Sequence, residues 1–353
     1  MHTESVEMEV EEDLRCCHWV GMDVAKSTFD AAWVRAEQHY PYTPLRELPV
    51  RTFARSPEGV DEFLAWLDEL GQHGRAEQCN RVCMEATGSY STELTVWLLD
   101  KRPSLEPAIV NPAHTSAFIK SMGLRNKTDK LEARALGFYG VERGPVAYEP
   151  LTPDRAELRE LSRYRDSLVR QKVAESNQAG ARVTSRAVMR LQNKRIRLLR
   201  RDIEKVEMAM KAIVGENPEL KRDVKQLTAI YGVGFITAVV VLAELGDLRR
   251  FKRARQLSAF AGLSPRVVES GSSVNGRPRL CKQGNSRVRQ ALYLAALTVI
   301  RGRSDLQDTY CRLLEHGKAP KAALGAIMRK LLVLMRAILI SGKPYEAYHK
   351  TCG

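Results

Sequence analysis

Short apolar runs separated by polar turns fill the first 110 residues and predict a sheet interleaved with helices. The runs predict strands at residues 18–24, 28–34, 51–54, 81–84 and 108–110. An amphipathic helix is expected to begin at Ser56-Pro57, and another is expected from about Thr92 to Leu99. A leading hairpin followed by alternating strands and helices indicates an α/β domain.

Helical periodicity dominates the middle of the chain. Residues 154–214 contain almost no Gly or Pro and form the longest predicted helical region, with an interruption expected at Gly180. From Ile196 to Ile213, apolar residues recur at spacings of three and four, which is a heptad seam. The seam fits two structures. One is an antiparallel helical hairpin or a coiled coil between subunits, which we favour, and the other is a helical spacer packed within one subunit.

A turn between two helices follows the break at residues 215–218. The turn, Gly232-Val233-Gly234, lies between apolar segments in the pattern of a helix-hairpin-helix element. Such a turn presents backbone N–H groups to a DNA phosphate, and a hairpin packed purely as core is the alternative. Three further helices are predicted at residues 286–301, 304–315 and 320–341, the last of them apolar enough to be central to the core.

A basic segment rich in Ser and Gly, residues 266–290, has no apolar periodicity. Core packing therefore does not explain it, and a loop is expected. Its cationic residues are predicted to bind nucleic acid, together with the two glycines of the preceding turn. These cations are Arg266, Arg277, Arg279, Lys282 and Arg287. The segment would either grip phosphate or offer one of its serines as a nucleophile in an Arg-rich pocket.

Charge divides the chain into two parts. Residues 1–150 carry 16 Lys and Arg against 24 Asp and Glu, a net charge of −8, and residues 151–353 carry 40 against 18, a net charge of +22. An acidic first part and a strongly basic remainder indicate a metal-binding body joined to a body that binds a polyanion, with nucleic acid as the expected partner. A ribosomal or chromatin protein would not need the acidic part.

Cysteine usage and hydropathy exclude several classes of protein. The seven cysteines, at positions 16, 17, 79, 83, 281, 311 and 352, are odd in number and form no CxxC pair, so neither a disulfide framework nor a zinc module is supported. A reducing, cytoplasmic setting is expected. The acidic N-terminal stretch has no signal-peptide character, and no apolar run approaches about 18 residues, so no membrane partner is expected.

Four carboxylates stand where strands end and where a helix begins. Asp23 lies on the first, otherwise apolar strand, Glu85 ends the fourth strand, and Asp129 and Glu132 share one face of a later helix. This is the order of acids in the RNase H-like fold, whose first and fourth strands are neighbours. The four side chains would then meet and hold one or two Mg²⁺ ions against a phosphodiester.

The helix that begins near Asp129 has a second interpretation. Thr128 is expected to cap its N-terminus, and acids are favourable in the first turn of any helix. Taken alone, this stretch also fits a capped surface helix. The neighbouring Arg125 and Lys127 would grip the nucleic-acid strand if the acids hold a metal.

These pieces, taken in order, resemble the transposases of insertion-sequence family one-hundred-and-ten, the bridge-RNA-guided recombinases that are also similar to the Piv DNA invertases. The resemblance covers about Trp19 to Tyr345. Its blocks are GMDVAKSTFD, MEATGSY, VNPAHTSAFIKSMGLRNKTDKLEARAL, GVGFITA, LSAFAGLSPRVVESGSSVNGRPRLCKQGN and ALGAIMRKL. It implies a RuvC-like catalytic domain over residues 17–147, a helical or coiled-coil segment over 148–218, and a mainly α-helical, serine-bearing transposase domain over 219–353.

The resemblance also implies roles for single residues. The family's DEDD acids correspond to Asp23, Glu85, Asp129 and Glu132, the last of which departs from the usual Asp. The family's catalytic serine corresponds to Ser270, the first serine of ESGSS. Ser270 would attack a DNA phosphate and form a transient phosphoserine link, while the acids hold Mg²⁺ beside that phosphate.

The partners implied by the resemblance are donor DNA, target DNA and a noncoding bridge RNA whose base pairing chooses the sequence. A homodimer or homotetramer formed through the helical segment, in a nucleoid-associated prokaryotic setting, is expected. Two other functions fit the residues. One is a RuvC-like, structure-specific endonuclease that uses two metals and water, with Ser270 merely binding phosphate, and the other is an RNA-binding scaffold with structural acids.

Overall fold

The computed structural model describes residues 18–71, 80–124, 126, 128–180, 185–270, 274–302, 304–343 and 345. The chain divides into two compact units, Met1–Pro150 and Leu151–Gly353, here called unit 1 and unit 2. Each unit has its own hydrophobic core. Among the residues just given, no helix combines the length and apolar character needed to cross a membrane.

Unit 1 is built on a five-stranded mixed sheet. Its strands are β1 (His18–Val24), β2 (Thr28–Val34), β3 (Val50–Ala54), β4 (Asn80–Glu85) and β5 (Glu106–Val110). The order is β3-β2-β1-β4-β5, with β1, β2 and β3 antiparallel and with β4 parallel to both β1 and β5. The predicted strands are confirmed to within two residues, and so is the expected pairing of the first strand with the fourth.

The structure describes four helices in unit 1: α1 (Pro57–Gly71), α2 (Ser89–Lys101), α3 (Pro112–Ser121) and α4 (Asp129–Arg143). Three of them, α1, α3 and α4, begin where the sequence supplies start signals. Asn111 caps α3 by accepting from the backbone N–H of Ala113 at 2.9 Å. Thr128 caps α4 as predicted, because its hydroxyl oxygen accepts from the backbone N–H of Leu131 at 3.3 Å.

Helix α4 lies directly against β1 because Gly21 has no side chain. A Cβ atom at Gly21 would stand 2.0 Å from the carbonyl oxygen of Ala133 and 2.1 Å from the backbone nitrogen of Gly137, distances that no real side chain tolerates. The helix and the strand therefore touch backbone to backbone. This contact fixes where the first turn of α4, with its two acids, stands relative to β1.

Unit 2 begins with a helical hairpin made of α5 (Pro153–Gly180) and α6 (Arg186–Glu216). Two ion pairs show that the helices run antiparallel, because residues early in one meet residues late in the other. Arg165 Nε lies 2.6 Å from Glu207, and Arg195 Nε lies 3.4 Å from Glu175. The interruption predicted at Gly180 is confirmed as the end of α5.

The heptad seam of α6 packs inside unit 2. Its residues Leu199, Ile203, Val206 and Met210 are buried in one core with Leu158 and Leu168 of α5 and with the helices that follow. This corrects the interpretation we favoured, in which the seam joins subunits. A spacing of three and four shows that a helix has an apolar face, but not whether the helix that covers it belongs to the same chain.

Replacing Ile203 with lysine is therefore expected to destabilise unit 2. A charged side chain at this buried position would lower the free energy of unfolding by about 2–4 kcal/mol. The measurement is chemical denaturation of the full chain. Leu198→Lys is the matched control, because Leu198 is 48% exposed on the same helix and should change little. An Ile203→Lys protein of unchanged stability would contradict the intrachain packing.

The remaining helices of unit 2 surround a central apolar helix. They are α7 (Pro218–Thr228), α8 (Phe235–Leu245), α9 (Ala254–Phe260), α10 (Ser286–Val299), α11 (Asp305–Glu315) and α12 (Pro320–Ser341). Helix α12 is central as predicted, because Ile327, Leu331, Met335 and Ile338 are completely buried. The three C-terminal helices are confirmed to within two residues of their predicted bounds.

The basic segment before α10 forms a β-hairpin, which corrects its prediction as a loop. Strand β6 (Pro265–Ser270) pairs with β7 (Val274–Leu280) in an antiparallel ribbon with an irregularity between Arg266 and Val268. A two-stranded ribbon is held by bonds between backbone groups rather than by one buried face. The apolar alternation used to predict strands was therefore absent.

Candidate active site

Asp23 and Glu85 come together because β1 and β4 run parallel. Met22 of β1 is in register with Met84 of β4, so the next residue on each strand is one of the two acids. Adjacent strands lie about 4.8 Å apart, and residues in parallel register point to the same face of a sheet. The sheet therefore brings these two carboxylates to one edge and one face.

The charge around Asp23 shows that the other two acids approach it as well. The pKa of Asp23 is raised from its ordinary value of 3.8 to about 7, first because the carboxyl is partly buried and then because of the negative charges of Glu132, Asp129 and Glu85. Asp129 is exposed, whereas Glu85 and Glu132 are partly buried. The other three candidate acids thus lie within electrostatic range of Asp23.

The donor set of this site suits a hard divalent cation. Carboxylate oxygens are the ligands that Mg²⁺ prefers. Burial, and after it the neighbouring negative charges, raise the pKa of Asp23, and a cation would offset those charges. Within the described part of the chain, no three His, Cys, Asp or Glu side chains yet surround one point closely enough to hold a metal. The chemistry of the donors fits, and side-chain rotation would have to bring their oxygens closer.

Thr115 orients Glu85, a contact that the sequence did not predict. Its hydroxyl, buried in the first turn of α3, donates to the Glu85 carboxylate, and the Pro112 carbonyl lies 3.1 Å from the same hydroxyl. Asn111-Pro112 marks a helix start, which places Thr115 in its first turn. The sequence held that signal, but it gave no indication that α3 packs beside the end of β4.

Removing the Thr115 hydroxyl is expected to weaken the site without unfolding unit 1. Thr115→Val keeps the shape but lets Glu85 rotate, so the affinity for a divalent cation should fall about 10- to 100-fold. Thr115→Ser keeps the donor and is expected to stay close to wild type. The measurement is the rise in melting temperature that added Mg²⁺ or Mn²⁺ produces. If valine behaved like serine, Thr115 would serve packing alone.

The basic residues predicted to grip nucleic acid fall into two groups. One group lies outside what the structure describes: Arg125 and Lys127 entirely, and the side chains of Arg266, Arg277 and Arg279. The other group is described. Lys282 is exposed and adopts a positive φ of 57°, and Arg287 bonds to other side chains of unit 2.

Arg287 belongs to an ion-pair cluster that joins α5, α8 and α10. Its guanidinium lies 3.1 Å from Asp166 and 3.7 Å from the buried Glu244, which also accepts from Arg163 and Asn285. Burial opposes the charged form of Glu244, but these bonds and the nearby Arg charges outweigh it and lower the pKa of that carboxyl. This environment ties Arg287 to the scaffold.

The turn between α7 and α8 contains two glycines in different environments. Gly232 packs against another helix, and Gly234 has free space beside it. Gly232 has a φ of 85°, and a Cβ atom there would stand 2.5 Å from the Val299 side chain of α10. Gly234 caps α8, and a Cβ atom there would meet nothing within 4 Å. The helix, turn and helix are present, but a DNA-binding helix-hairpin-helix element is not confirmed.

Ser270 is the last residue of β6, where its backbone pairs with Val274 of β7. The ribbon therefore carries its backbone at the tip end of the hairpin. Its side chain lies outside the described part, as do residues 271–273, which include Ser272 and Ser273.

Two family models match the chain. A model for the transposase family IS116/IS110/IS902 matches residues 224–311, and a transposase model for the DEDD type of IS110 matches residues 20–185. The first match spans the hairpin with Ser270, and the second spans the sheet of unit 1 and all four candidate acids. The fold, the carboxylates and these matches define the class of the protein, which is a DNA transposase.

Relatives that match two thirds or more of the chain agree with this class. The chain is 29% identical over 329 residues to the pilin gene-inverting protein of Moraxella bovis, covering 93% of this chain and 97% of that protein. It is 27% identical over 272 residues to the transposase of insertion sequence element IS1111A from Coxiella burnetii, covering 67% and 72%. The chain belongs to the IS116/IS110/IS902 family of transposases.

Part of the chain is similar to a solved structure. RuvC from T. thermophilus, in complex with a Holliday junction substrate, matches 37% of this chain and 99% of that one at 12% identity. The TM-score is 0.25.

Proposed function

We propose that this transposase cuts and rejoins DNA strands through a transient phosphoserine link at Ser270, assisted by Mg²⁺ that is held by Asp23, Glu85, Asp129 and Glu132. The observation that carries the proposal is that Glu132, Asp129 and Glu85 lie close enough to Asp23 for their charges, together with burial of its carboxyl as the larger cause, to raise its pKa to about 7. The order β3-β2-β1-β4-β5 supports an RNase H-like, RuvC-like identity for the sheet that holds them.

The proposed reaction conserves the number of phosphodiester bonds. Ser270 Oγ attacks phosphorus, its proton leaves to a base, the bond from phosphorus to one sugar oxygen breaks, and that oxygen takes up a proton. In the second half, a sugar hydroxyl of another strand attacks the phosphoserine, and Ser270 regains its proton. No external energy source is needed. A divalent cation, when bound, would stabilise negative charge on the phosphate oxygens.

The partners proposed are donor DNA, target DNA and a noncoding bridge RNA. The charge of +22 over residues 151–353 supports binding of more than one polyanion. The Moraxella bovis relative is named for inverting a pilin gene. We propose that this chain also rearranges DNA. The RNA rests on the family resemblance, in which base pairing chooses the sequence.

The division of labour along the chain is also proposed. Residues 17–147 would hold the metal, 148–218 would form a helical support, and 219–353 would carry the serine. A homodimer or homotetramer would have to use surfaces other than the buried α6 seam. A cytoplasmic, nucleoid-associated setting follows from the substrate.

The products formed by the wild-type chain test this function against its closest competitor. The reaction would contain a donor plasmid, a target plasmid, Mg²⁺ and the bridge RNA, transcribed from the ends of the insertion sequence that encodes the chain. We expect joined recombinants with few free DNA ends. The competing function, a two-metal endonuclease of the RuvC type, is supported by the carboxylates alone and predicts linear or nicked DNA that is never joined. Sequencing of the junctions and denaturing gels of the DNA distinguish the two.

A further inference from the structure

Residues 250–260 present a cationic and aromatic surface that the proposed reaction does not use. Arg250, Lys252, Arg253 and Arg255 are exposed, and so is Phe260, with 49% of its surface accessible. We call these five residues the Arg-Phe surface. An aromatic ring this exposed gains little from burial, and here it stands among cations.

The ring of Phe260 is held in place by its neighbours. It lies 5.5 Å from the ring of Phe251, and the guanidinium of Arg250 lies 4.8 Å from the Phe251 ring centre and 5.6 Å from that of Phe260. Arg250 also donates to the carbonyl oxygen of Leu245 at 3.1 Å. These contacts order the Phe260 side chain while leaving about half of it open.

The backbone beneath the Arg-Phe surface is anchored to the core. Arg336 of α12 donates to the carbonyl oxygens of Phe251 at 2.9 Å and Lys252 at 3.0 Å. The preceding Arg249 bonds twice to the fully buried Asp223, at 2.6 and 2.9 Å. The surface is therefore fixed before any partner binds, which reduces the entropy lost on binding.

Charge along this stretch has one sign. Between Asp247 and Glu269 the sequence contains no acidic residue, and six Arg and Lys lie in that interval. Such a stretch attracts a polyanion. Duplex DNA satisfies the charge but keeps its bases stacked on one another, so it offers nothing to the ring. A single strand offers both phosphates and open base faces.

We propose that the Arg-Phe surface binds a single-stranded segment of nucleic acid, with one base stacked on Phe260 and the flanking phosphates near Lys252 and Arg255. The proposal rests on the proposed function, because strand exchange creates unpaired strands. The surface lies at the base of the β6–β7 hairpin, since the carbonyl oxygen of Phe260 accepts from the backbone N–H of Asn285 just beyond β7.

The position suits a strand that is about to react. Strand β6 rises about 3.3 Å per residue, so the backbone of Ser270 lies about 17 Å from Pro265, the first residue of the hairpin. A nucleic-acid strand bound at the base of the hairpin would therefore reach the tip end of the hairpin, near the backbone of Ser270, after a few nucleotides. The strand is either RNA or DNA, and these two sources share the chemistry of stacking and charge.

The test measures binding of the full-length protein to short oligonucleotides by fluorescence anisotropy. The probes are one unstructured ten-nucleotide sequence as DNA, the same sequence as RNA, and the DNA paired into a duplex. Phe260→Ala should weaken single-strand binding about tenfold and leave duplex binding unchanged, whereas Phe260→Trp should bind single strands at least as well as wild type. Tyr42→Ala is the matched control, because Tyr42 is an exposed aromatic of the acidic unit 1.

Two further variants keep the test decisive. Phe260→Leu preserves the packing on Phe251 but removes the aromatic face, so it should show the same loss even if the alanine variant folds poorly. Replacing Lys252 and Arg255 with glutamine should reduce the salt slope for the single strand by about 1.4, because each phosphate contact contributes about 0.7. Bromouracil in either oligonucleotide should cross-link to the tryptic peptide of residues 256–266.

Each result decides for or against the Arg-Phe surface. A loss confined to the RNA probe assigns the strand to RNA, a loss confined to the DNA probe assigns it to DNA, and a loss in both supports a sequence-tolerant platform. Equal losses for single strands and duplex would overturn the stacking proposal. Unchanged binding by Phe260→Leu would overturn it too, and if that protein still joined DNA, the proposed transposition function would stand without it.

Discussion

Alanine at Ser270 is expected to abolish both the covalent protein–DNA adduct and strand exchange. A serine hydroxyl is a poor nucleophile at neutral pH, so in the proposed reaction its developing charge would be stabilised by nearby cations and by the divalent cation that the acids would hold. Alanine has no oxygen to form the link. The loss should therefore be complete in both measurements rather than partial.

The adduct is measured on labelled DNA by denaturing electrophoresis. It should form a slow band that survives detergent and disappears with protease. Ser272→Ala and Ser273→Ala are the internal controls, because both lie within three residues of Ser270 and should retain adduct and exchange. Exchange by Ser270→Ala near the wild-type rate would refute the assignment, and an adduct that depends on Ser272 instead would move it by two residues.

Asparagine at Asp23 is expected to end strand exchange while making unit 1 more stable without metal. In the folded chain the pKa of Asp23 is about 7, above its ordinary value of 3.8, so the folded state binds the proton more tightly. The free energy of unfolding therefore falls as pH rises from about 4 to about 7. Asparagine resembles the protonated form at every pH and avoids that fall.

The size of this gain is limited by solvent. Because Asp23 is only partly buried, water screens part of the repulsion from the other acids, and we expect a gain of about 1–2 kcal/mol at pH 8. This corresponds to roughly 3–6 °C in melting temperature for a unit of this size. At pH 4 the gain should vanish, since Asp23 is then protonated in the folded chain.

Thermal melts at pH 4 and pH 8, with and without Mg²⁺, measure both effects. Mg²⁺ should raise the melting temperature of the wild type at pH 8 and should have little effect on Asp23→Asn. Asp100→Asn serves as the control, because Asp100 is an exposed acid of α2 outside the site. A wild type that does not respond to Mg²⁺ or Mn²⁺, or an Asp23→Asn protein that still exchanges strands, would end the metal-site proposal.

The sheet of unit 1 was predictable because each strand is a short apolar run with a polar break. Asp23 and Glu85 predicted where β1 and β4 end, because a lone carboxylate is too costly to bury in a core. Thr128 gave the start of α4 through a side-chain cap. Local signals of this kind depend on neighbours in sequence, so one chain suffices to find them.

Contacts between distant segments could not be predicted in the same way. Thr115 reaches Glu85 across 30 positions, and Arg287 meets Asp166 across 121. Nothing local to either residue records its partner. The α6 seam shows the same limit, because its spacing revealed an apolar face and left open which helix covers it. The hairpin with Ser270 was not predicted, because pairing between backbone groups requires no apolar alternation in the sequence.

The backbone contact between α4 and β1 at Gly21 fixes the position of the acids of α4 relative to Asp23. Gly21 lies two positions before Asp23 on β1, and α4 presses against it with Ala133 and Gly137, one turn after its acids. Any change that wedges the helix away from the strand carries Asp129 and Glu132 away from Asp23. The spacing of the charged oxygens thus depends on a contact between two backbones, at a position that takes no part in the chemistry.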